Sequence, residues 1–275
     1  MPKIAILQMC SGIDPEANFA ALEDAARRAA AEGAAILFTP EMSLLLDRKR
    51  KRSAPWIESE APAQMIGRLQ AVSADAGIDI ALGSIPIASG SNSSAELWAN
   101  RSVYAAPGKA AVTYDKIHMF DVELASGEHW RESAAYRTGE QVVTVEDTAI
   151  GRLGLSICYD LRFPALFEAL GQQCCDAIAV PAAFTKPTGE AHWHVLLRAR
   201  AIEASAFVIA AAQVGRHADG RETYGHSLVV DPWGDILLDM GGAEPGLAFC
   251  DIDMERIDEV RGQLPSLANR RVIPN

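Results

Sequence analysis

The stretch GRLGLSICYDLRFP, residues 151–164, places a cysteine between a strand and a helix. Its first half is apolar and of strand length, the chain turns polar at Tyr159 and Asp160, and Pro164 favours the first turn of a helix. A thiol at such a turn projects from the end of a sheet, where nearby backbone N–H groups can point at a reacting carbonyl group. Cys158 is therefore a candidate nucleophile, although an isolated cysteine is more often an inert buried side chain.

The residues before this stretch alternate between strand and helix patterns. KIAILQM, residues 3–9, has the apolar character of a strand, and the Ala, Leu and charged residues that follow have helical spacing up to Gly33. AAILFTPE, residues 34–41, predicts a buried strand, residues 61–77 predict a helix, and DIALGSIPI, residues 79–87, predicts another strand. This is the order of repeated β-α-β units.

The central and C-terminal residues add hairpins to these units. Residues 99–118 and 141–160 each predict two strands around a turn, and HSLVVDPWGDILLDM, residues 226–240, predicts a third hairpin. Helices are expected at 163–173 and 190–206, each before a very apolar strand, predicted at 176–184 and 207–214 respectively, and residues 246–254 predict a closing strand. The mixture indicates an α/β fold in which two mixed sheets face each other and helices cover both outer faces.

The chain has the pattern of a single domain. It contains no Pro/Ser-rich linker, internal repeat or break in composition, so we expect one domain over residues 1–253. Residues 254–275 are polar and end without a strand pattern. We expect them to form a C-terminal tail that packs either on a partner subunit or on its own domain.

Composition and charge limit the classes of partner. The 275 residues are 49% hydrophobic, with a formal net charge of -11 and a pI near 5.0, whereas a nucleic-acid binder usually presents a basic face. The basic run RKRKR, residues 48–52, is interpreted as a solvated loop, with a nucleic-acid or localisation patch as the alternative. No stretch approaches the roughly 18 to 20 apolar residues of a membrane span, and the N-terminal residues lack the pattern of a signal peptide. Five cysteines are an odd number, typical of reduced thiols, so a cytoplasmic protein is expected.

Two charged residues at predicted strand ends complement Cys158. Glu41 directly follows ILFTP, and partial desolvation at the rim of a sheet is expected to raise the pKa of its carboxylate into the range of a general base. Lys116 lies between VTYD and IHMF, where an ammonium group is costly unless it meets a carboxylate or a developing oxyanion. Each residue alone is more easily explained as a helix cap or a surface side chain. Together the three residues predict nucleophilic catalysis.

These segments resemble the nitrilase superfamily of carbon–nitrogen hydrolases. FTPE with Glu41, YDKIHMFDVE with Lys116 and GLSICYDLRFP with Cys158 match the three catalytic blocks of that family, and residues 181–203 and 224–234 match further blocks in the same order. The resemblance implies a four-layer αββα sandwich, a Glu-Lys-Cys triad, no metal or cofactor, and pairing of subunits into a homodimer. It also implies that the helices in 163–170 and 192–203 form the pairing surface.

A second glutamate in this family often positions the substrate and the lysine. Glu132, in WRESAAY between Lys116 and Cys158, is the positional match. Glu123 and Glu128 lie close enough in the sequence to be alternatives. Any of these three glutamates is equally consistent with a solvated loop residue.

The resemblance implies hydrolysis through a thioester. Glu41 takes the thiol proton of Cys158, and Lys116 and the Tyr159 backbone N–H stabilise the oxyanion that forms when the sulfur adds to an amide carbonyl. Glu41 then activates water, which releases a carboxylic acid and restores the thiol. The expected partners are thus a small-molecule amide and water, with no nucleic acid and no membrane.

Within the family, KIHMFDVE, AFTKPTGEAHWHVLLRARAIE and YGHSLVVDPWG most resemble the Nit-type amidases that hydrolyse deaminated glutathione to 2-oxoglutarate and cysteinylglycine. The alternatives are an omega-amidase acting on 2-oxoglutaramate, an N-carbamoyl amino-acid hydrolase, a true nitrilase, and a non-catalytic binding or regulatory protein with the same fold. Only the last need not keep the three reactive residues together. Because the first two substrates carry carboxylates, a cationic group is expected in the binding cavity.

Overall fold

The computed structural model describes residues 1–88, 97–123, 127 and 129–271. The helices are α1 (Pro15–Ala31), α2 (Arg50–Ile57), α3 (Ala61–Ala76), α4 (Pro164–Gln172), α5 (Lys186–Ala204) and α6 (Glu255–Gln263). The strands are β1 (Lys3–Gln8), β2 (Ile36–Phe38), β3 (Asp79–Ala88), β4 (Trp98–Ala105), β5 (Val112–Asp115), β6 (Asp121–Glu123), β7 (His129–Arg131), β8 (Thr144–Thr148), β9 (Gly151–Leu155), β10 (Ala177–Ala179), β11 (Phe207–Ala210), β12 (Val214–Arg216), β13 (Glu222–Tyr224), β14 (Leu228–Val230), β15 (Ile236–Asp239) and β16 (Gly246–Asp251).

Two six-stranded sheets form the centre of the molecule, and both are mixed. The first has the strand order β16-β1-β2-β3-β4-β5, in which β1, β2 and β3 are parallel and the other strands pair antiparallel. The second has the order β15-β14-β11-β10-β9-β8, in which β9, β10 and β11 are parallel and the other strands pair antiparallel. The predicted hairpins β4–β5, β8–β9 and β14–β15 and the predicted mixed sheets are confirmed.

The layers follow from the alternation of side chains along each strand. In β1, Ile4 and Ile6 belong to the apolar core that also contains residues of β9 and β10 in the second sheet. Ala5 and Leu7, on the other face of β1, pack with apolar residues of α1 and α3. Helices α4 and α5 pack against each other, and α5 packs against β11 of the second sheet. The predicted four-layer αββα sandwich is confirmed.

Some segments differ in part from the sequence prediction. The basic run 48–52, expected as a solvated loop, is exposed throughout, but residues 50–52 form the first turn of helix α2, and Arg48 and Arg50 line a cavity. The apolar segment 176–184, predicted as one strand, is a strand only over Ala177–Ala179. Pro181 explains the early end, because proline has no N–H to donate to a neighbouring strand.

Helix α6 follows the last strand and packs on its own chain. Ile257 and Val260 are buried, and the Arg261 guanidinium donates to the carbonyl oxygens of Cys175 and Ser205. Whether residues 254–275 also contact a partner subunit stays a prediction, as does the domain boundary at residue 253. No helix among the described residues is long and apolar enough to cross a membrane.

Candidate active site

Glu41 lies in a tight turn just after β2. Its position depends on Gly83 of β3, because a Cβ atom there would come within 2.2 Å of the Thr39 carbonyl oxygen and 2.3 Å of the Pro40 carbonyl oxygen. The next residue, Met42, has a left-handed φ of 54°, and its N–H donates to Ser84 Oγ at 2.8 Å. The turn thus directs a carboxylate with only 5% exposure back into the molecule.

Cys158 follows β9 and opens a short 3₁₀ helix, Cys158–Arg162. Its φ is 46°, a left-handed conformation that L-residues seldom adopt, and its N–H donates to the Pro181 carbonyl oxygen at 2.8 Å. Backbone strain of this kind persists only where the surrounding contacts impose it, and it is concentrated at functional sites. The strand-to-helix turn predicted from the sequence is confirmed.

Asp160 holds this turn against the first sheet. Its buried carboxylate accepts hydrogen bonds from the Ile157 N–H at 2.9 Å, from the Tyr114 hydroxyl at 2.7 Å and from the His118 N–H at 3.0 Å. Tyr114 and His118 flank Lys116, so one carboxylate fixes both the cysteine turn and the lysine segment. Asp160 is therefore a positioning residue rather than a group that faces the cavity.

Lys116 follows β5 and brings an ammonium group to Glu41. Its Nζ donates to Glu41 Oε1 at 2.9 Å and to Glu132 Oε2 at 2.9 Å, and the side chain is 2% exposed. An ammonium group in such surroundings is tolerated only because two carboxylates compensate for the lost hydration. The structure therefore brings Glu41, Lys116 and Glu132 into one buried ionic cluster.

Of the three candidates for the second glutamate, Glu132 is the one that reaches this cluster among the described residues. It lies in the short 3₁₀ helix Glu132–Ala134, and its Oε2 also accepts from the Phe120 N–H at 2.7 Å. Glu123 points to solvent, with its side chain 75% exposed and beside His129. Glu128 lies outside the described residues.

Asn100 and the Ala183 backbone N–H complete the surroundings of Glu41, and sequence reasoning missed both. Asn100 Nδ2 donates to Glu41 Oε1 at 2.9 Å and to Glu132 Oε1 at 3.2 Å, and the Ala183 N–H donates to Glu41 Oε2 at 2.9 Å. A signal for Asn100 was present, since asparagine is depleted in strands and here interrupts an apolar one. The Ala183 N–H belongs to the backbone, so its role cannot be recognised from the type of residue at that position.

The charges in the cluster determine where protons reside. Burial alone would raise the pKa of Glu41, but the Lys116 ammonium group lowers it below its ordinary value of 4.5. Burial and the Glu41 charge together raise the pKa of the Cys158 thiol well above 9.0, although Lys116 and the Ala183 N–H act in the opposite direction. Burial disfavours the charged form of Lys116, yet Glu132 and Glu41 raise its pKa well above 10.5. The expected rise in the pKa of Glu41 is wrong, because the ion pair outweighs desolvation.

A cavity of about 340 Å³ is lined by Cys158, Glu41, Lys116 and Glu132, a volume typical of small-molecule sites. Tyr159 also lines it, with its ring packed edge-on against Phe120 at 5.0 Å between centroids. The predicted cationic character of the cavity wall comes from four arginines: Arg48, Arg50, Arg131 and Arg221. The arrangement can hold a small anionic molecule with its reacting carbonyl group at the thiol.

Known proteins with similar sequences and folds identify the family of the chain. The carbon–nitrogen hydrolase family matches residues 3–262. The chain is 40% identical over 273 residues to a deaminated glutathione amidase of Yersinia enterocolitica, covering 98% of this chain and 93% of that protein.

Solved structures with the same fold include two proteins that match along nearly their whole length. One is Nit3 of Saccharomyces cerevisiae, a member of branch 10 of the nitrilase superfamily, with a TM-score of 0.85, 27% identity, and coverage of 98% of this chain and 97% of that chain. The other is a mutant amidase of Nesterenkonia sp. AN1 in which acrylamide has added to the active-site cysteine, with a TM-score of 0.78, 26% identity, and coverage of 96% and 98%.

Proposed function

The chain belongs to the carbon–nitrogen hydrolase family, and we propose that it hydrolyses a small carboxylate-bearing amide, deaminated glutathione, with Cys158 as the nucleophile. The family expected from the sequence blocks is thereby confirmed. The observation that carries the proposal is the buried cluster in which Cys158, Glu41 and Lys116 meet at a cavity lined by arginines. A protein that used the fold only for binding would not need these three reactive groups together.

In the proposed first step, Glu41 acts as the general base. The lowered pKa of Glu41 and the raised pKa of the Cys158 thiol favour an ionised carboxylate and a neutral thiol, the forms from which a proton transfer from Cys158 to Glu41 starts. The sulfur then bonds to the amide carbon, and the carbonyl π electrons move to the oxygen. When this tetrahedral intermediate collapses, the C–N bond breaks and the leaving amine takes the proton from Glu41.

Lys116 is the proposed electrophile for the oxyanion. Its Nζ lies within hydrogen-bond distance of Glu41 Oε1 at 2.9 Å and of both Glu132 oxygens, Oε2 at 2.9 Å and Oε1 at 3.1 Å. The substrate oxygen is proposed to replace the longer Glu132 contact as the acceptor of the third N–H group. The Tyr159 backbone N–H is the proposed second donor, and Glu132 is proposed to keep Lys116 in place and to orient the substrate. Removal of one such donor typically lowers kcat by about 100- to 1000-fold.

The thioester is proposed to be hydrolysed by the same groups. Glu41 takes a proton from water as the hydroxide adds to the thioester carbon, and collapse releases a carboxylic acid and returns the proton to the sulfur. No metal or cofactor takes part in the proposed steps, because Glu41, Lys116 and Cys158 supply the base, the electrophile and the nucleophile.

The choice of substrate rests on the cavity arginines and on the named relative. Arg221 lines the cavity, where its Nε donates to Asp219 at 2.8 Å and its guanidinium stacks over the Trp130 ring at 5.0 Å. A guanidinium held in this way, whose terminal NH₂ groups donate to no other group among the described residues, suits the carboxylate of a 2-oxo acid. The Yersinia enterocolitica relative is named for deaminated glutathione, which carries this group.

The experiment that tests the function compares hydrolysis of deaminated glutathione and 2-oxoglutaramate by wild-type protein and by Cys158→Ala. We expect Cys158-dependent turnover, with kcat/KM higher for deaminated glutathione. Higher kcat/KM for 2-oxoglutaramate would identify an omega-amidase. Absence of turnover on both substrates would contradict the proposed substrate, and N-carbamoyl amino acids and nitriles would then be the next compounds to assay.

The role of Arg221 can be separated from general charge effects. Arg221→Met should raise KM for deaminated glutathione by about tenfold or more, the usual worth of a charged hydrogen bond, with a smaller change in kcat. The matched control is Arg152→Met, which removes an exposed arginine that pairs with Glu146 outside the cavity. Equal KM values for the two variants would argue against carboxylate recognition by Arg221.

A homodimer is also proposed, through the outer faces of α4 and α5, the helices of the pairing surface that the resemblance implies. Val195 and Ile202 of α5 are large apolar side chains exposed to solvent, and Trp233, Ile236 and Leu237 of the adjacent hairpin extend this apolar patch. An exposed apolar patch of this kind marks an interaction surface, and a second copy of the chain is the proposed occupant. Sedimentation velocity should report a dimer that Val195→Asp dissociates and that the distant Ile13→Asp leaves intact; a wild-type monomer would contradict the proposal.

Residence in the cytoplasm is proposed from the cysteines. Cys10, Cys158, Cys174, Cys175 and Cys250 are all free thiols. A reducing compartment keeps thiols in this state, and the proposed nucleophile requires it.

A further inference from the structure

Three potential metal ligands meet on the surface, away from the catalytic cavity. They are His194 of α5, His226 just before β14, and Asp239 at the end of β15. Their ligand atoms all lie within 4.8 Å of one another, which no other set of His, Cys, Asp or Glu side chains achieves in the described part of the chain. None of the three lines the cavity that contains Cys158.

Both imidazole rings direct a nitrogen atom at the same carboxylate. His226 Nδ1 lies 2.9 Å from Asp239 Oδ1, and His194 Nε2 lies 3.1 Å from Asp239 Oδ2. In a tetrahedral zinc site with bonds of about 2.0 to 2.1 Å, neighbouring ligand atoms are roughly 3.3 Å apart. The two contacts with Asp239 are within a few tenths of an ångström of this spacing, and the two imidazole nitrogens lie within 4.8 Å of each other, so a shared ion requires the rings to turn toward it.

Neighbouring groups already fix the orientation of these ligands. The Gly241 N–H donates to Asp239 Oδ1 at 2.8 Å, and the His226 ring stacks on Tyr224 at 4.4 Å with an interplanar angle of 23°. Trp193 Nε1, on the same helix as His194, donates to the His226 carbonyl oxygen at 2.8 Å. Such outer contacts orient ligands in natural metal sites and add to their affinity.

The site is accessible and its ligands have a definite metal preference. In the single chain the side chains of His226, His194 and Asp239 are 25%, 28% and 33% exposed, so an ion can enter and water can complete its coordination. None of the three is among the exposed apolar side chains proposed for the dimer interface, although His194 precedes Val195 in α5. Imidazole together with one carboxylate favours Zn²⁺, Co²⁺, Ni²⁺ or Cu²⁺ over Mg²⁺ or Ca²⁺, which prefer oxygen ligands alone.

We propose that His194, His226 and Asp239 bind one divalent transition-metal ion of the Zn²⁺ type. The ion joins helix α5 to the β14–β15 hairpin and so acts as a structural clamp. Because α5 begins at Lys186, directly after the cavity residues Phe184 and Thr185, the clamp stabilises one wall of the cavity. The proposal is independent of the proposed reaction, in which no metal takes part.

Co²⁺ is a suitable probe because its visible absorption spectrum depends on which ligands bind it. Co²⁺ is titrated into the intact, metal-stripped protein near neutral pH, and visible absorption is recorded before and after addition of Zn²⁺. We expect one Co²⁺ per chain, no thiolate-to-cobalt charge-transfer band, and displacement by Zn²⁺. A thiolate band, or absence of stoichiometric binding, would overturn the site.

Variants identify the ligands. His194→Ala, His226→Ala and Asp239→Asn should each weaken Co²⁺ binding by more than about 100-fold, since loss of an outer-shell partner alone costs about 10- to 100-fold. The matched control is His192→Ala, which removes a histidine of the same helix that contacts Arg162 instead. Asp239→Asn keeps the size of the side chain and an acceptor for the Gly241 N–H, so weaker binding by this variant reports loss of a ligand rather than misfolding. Circular dichroism checks that each variant is folded. Equal affinity in wild-type protein and all three ligand variants would refute the proposal.

Discussion

The two large sheets contribute unequally to the candidate active site. The first sheet and its connections supply the charged groups, Glu41 after β2 and Lys116 after β5, together with the neutral amide of Asn100 on β4, which donates to Glu41. The second sheet supplies Cys158 after β9 and the Ala183 N–H after β10, which carry no formal charge. One sheet thus provides the electrostatic environment and the other provides the nucleophile.

This difference indicates that stability and reactivity have separate origins in the site. Buried charges are costly and depend on one another, so any change on the first sheet alters folding as well as chemistry. A neutral buried thiol behaves as a small apolar side chain, so its loss alters chemistry with little effect on folding. Variants on the two sides should therefore separate activity from stability.

The largest expected difference in stability is between Lys116→Ala and Cys158→Ala. Lys116→Ala leaves Glu41 and Glu132 buried without their cation and should lower the free energy of unfolding by about 3 to 5 kcal/mol. Cys158→Ala removes one apolar-like atom and should cost about 1 kcal/mol. Urea denaturation at neutral pH measures both values. Equal losses in the free energy of unfolding would contradict the proposed difference between the two sheets.

A smaller effect is expected from the turn that presents Glu41. Gly83→Ala places a Cβ atom against the Thr39 and Pro40 carbonyl groups and should displace the carboxylate, lowering kcat by about 100-fold, or about 2.7 kcal/mol. Gly67→Ala is the matched control, because a Cβ atom there meets nothing within 4 Å and favours helix α3. A kcat for Gly83→Ala equal to that of the control would show that the turn tolerates displacement.

The smallest expected effect is a pH dependence of stability, which arises from the charged residues that the first sheet supplies. Because the pKa of Glu41 is lowered in the folded protein, its ion pair contributes stability above the ordinary pKa of 4.5, and this contribution is lost as pH falls through the lowered value. The destabilisation caused by Glu41→Gln should therefore shrink in acid. Urea denaturation of both proteins between about pH 7 and pH 3 tests this, and a constant difference would contradict the ion pair.

The fold was largely predictable because its signals are local and repeated. Alternation of strand and helix patterns predicted the β-α-β units, and the hairpins β4–β5, β8–β9 and β14–β15 followed from short polar turns between apolar segments. The basic run at 48–52 is exposed as expected, but its charges gave no sign that helix α2 begins at Arg50 or that Arg50 stacks over the distant Trp98 ring, at 4.9 Å, beside the cavity.

The reactive residues of the candidate site could be predicted from the sequence, but the pKa shifts that follow from their contacts could not. Glu41, Lys116 and Cys158 stood out at strand ends and matched family blocks, and the structure brings Glu41 and Lys116 together at 2.9 Å beside Cys158. The direction of the pKa shift of Glu41 was not predictable, because it depends on which charges meet across 75 residues of sequence. The cluster of His194 with His226 and Asp239 was hidden for the same reason, since the three residues are far apart in the sequence and meet only in the folded chain.

The measurement that tests the central claim most directly is mass spectrometry of wild-type protein quenched by acid during turnover of deaminated glutathione. The account predicts an acyl group, attached as a thioester, on the peptide that contains Cys158, and no such adduct in Cys158→Ala. Turnover without any adduct on Cys158, or an adduct on another cysteine that turns over as fast as the reaction, would contradict the assignment of Cys158 as the nucleophile.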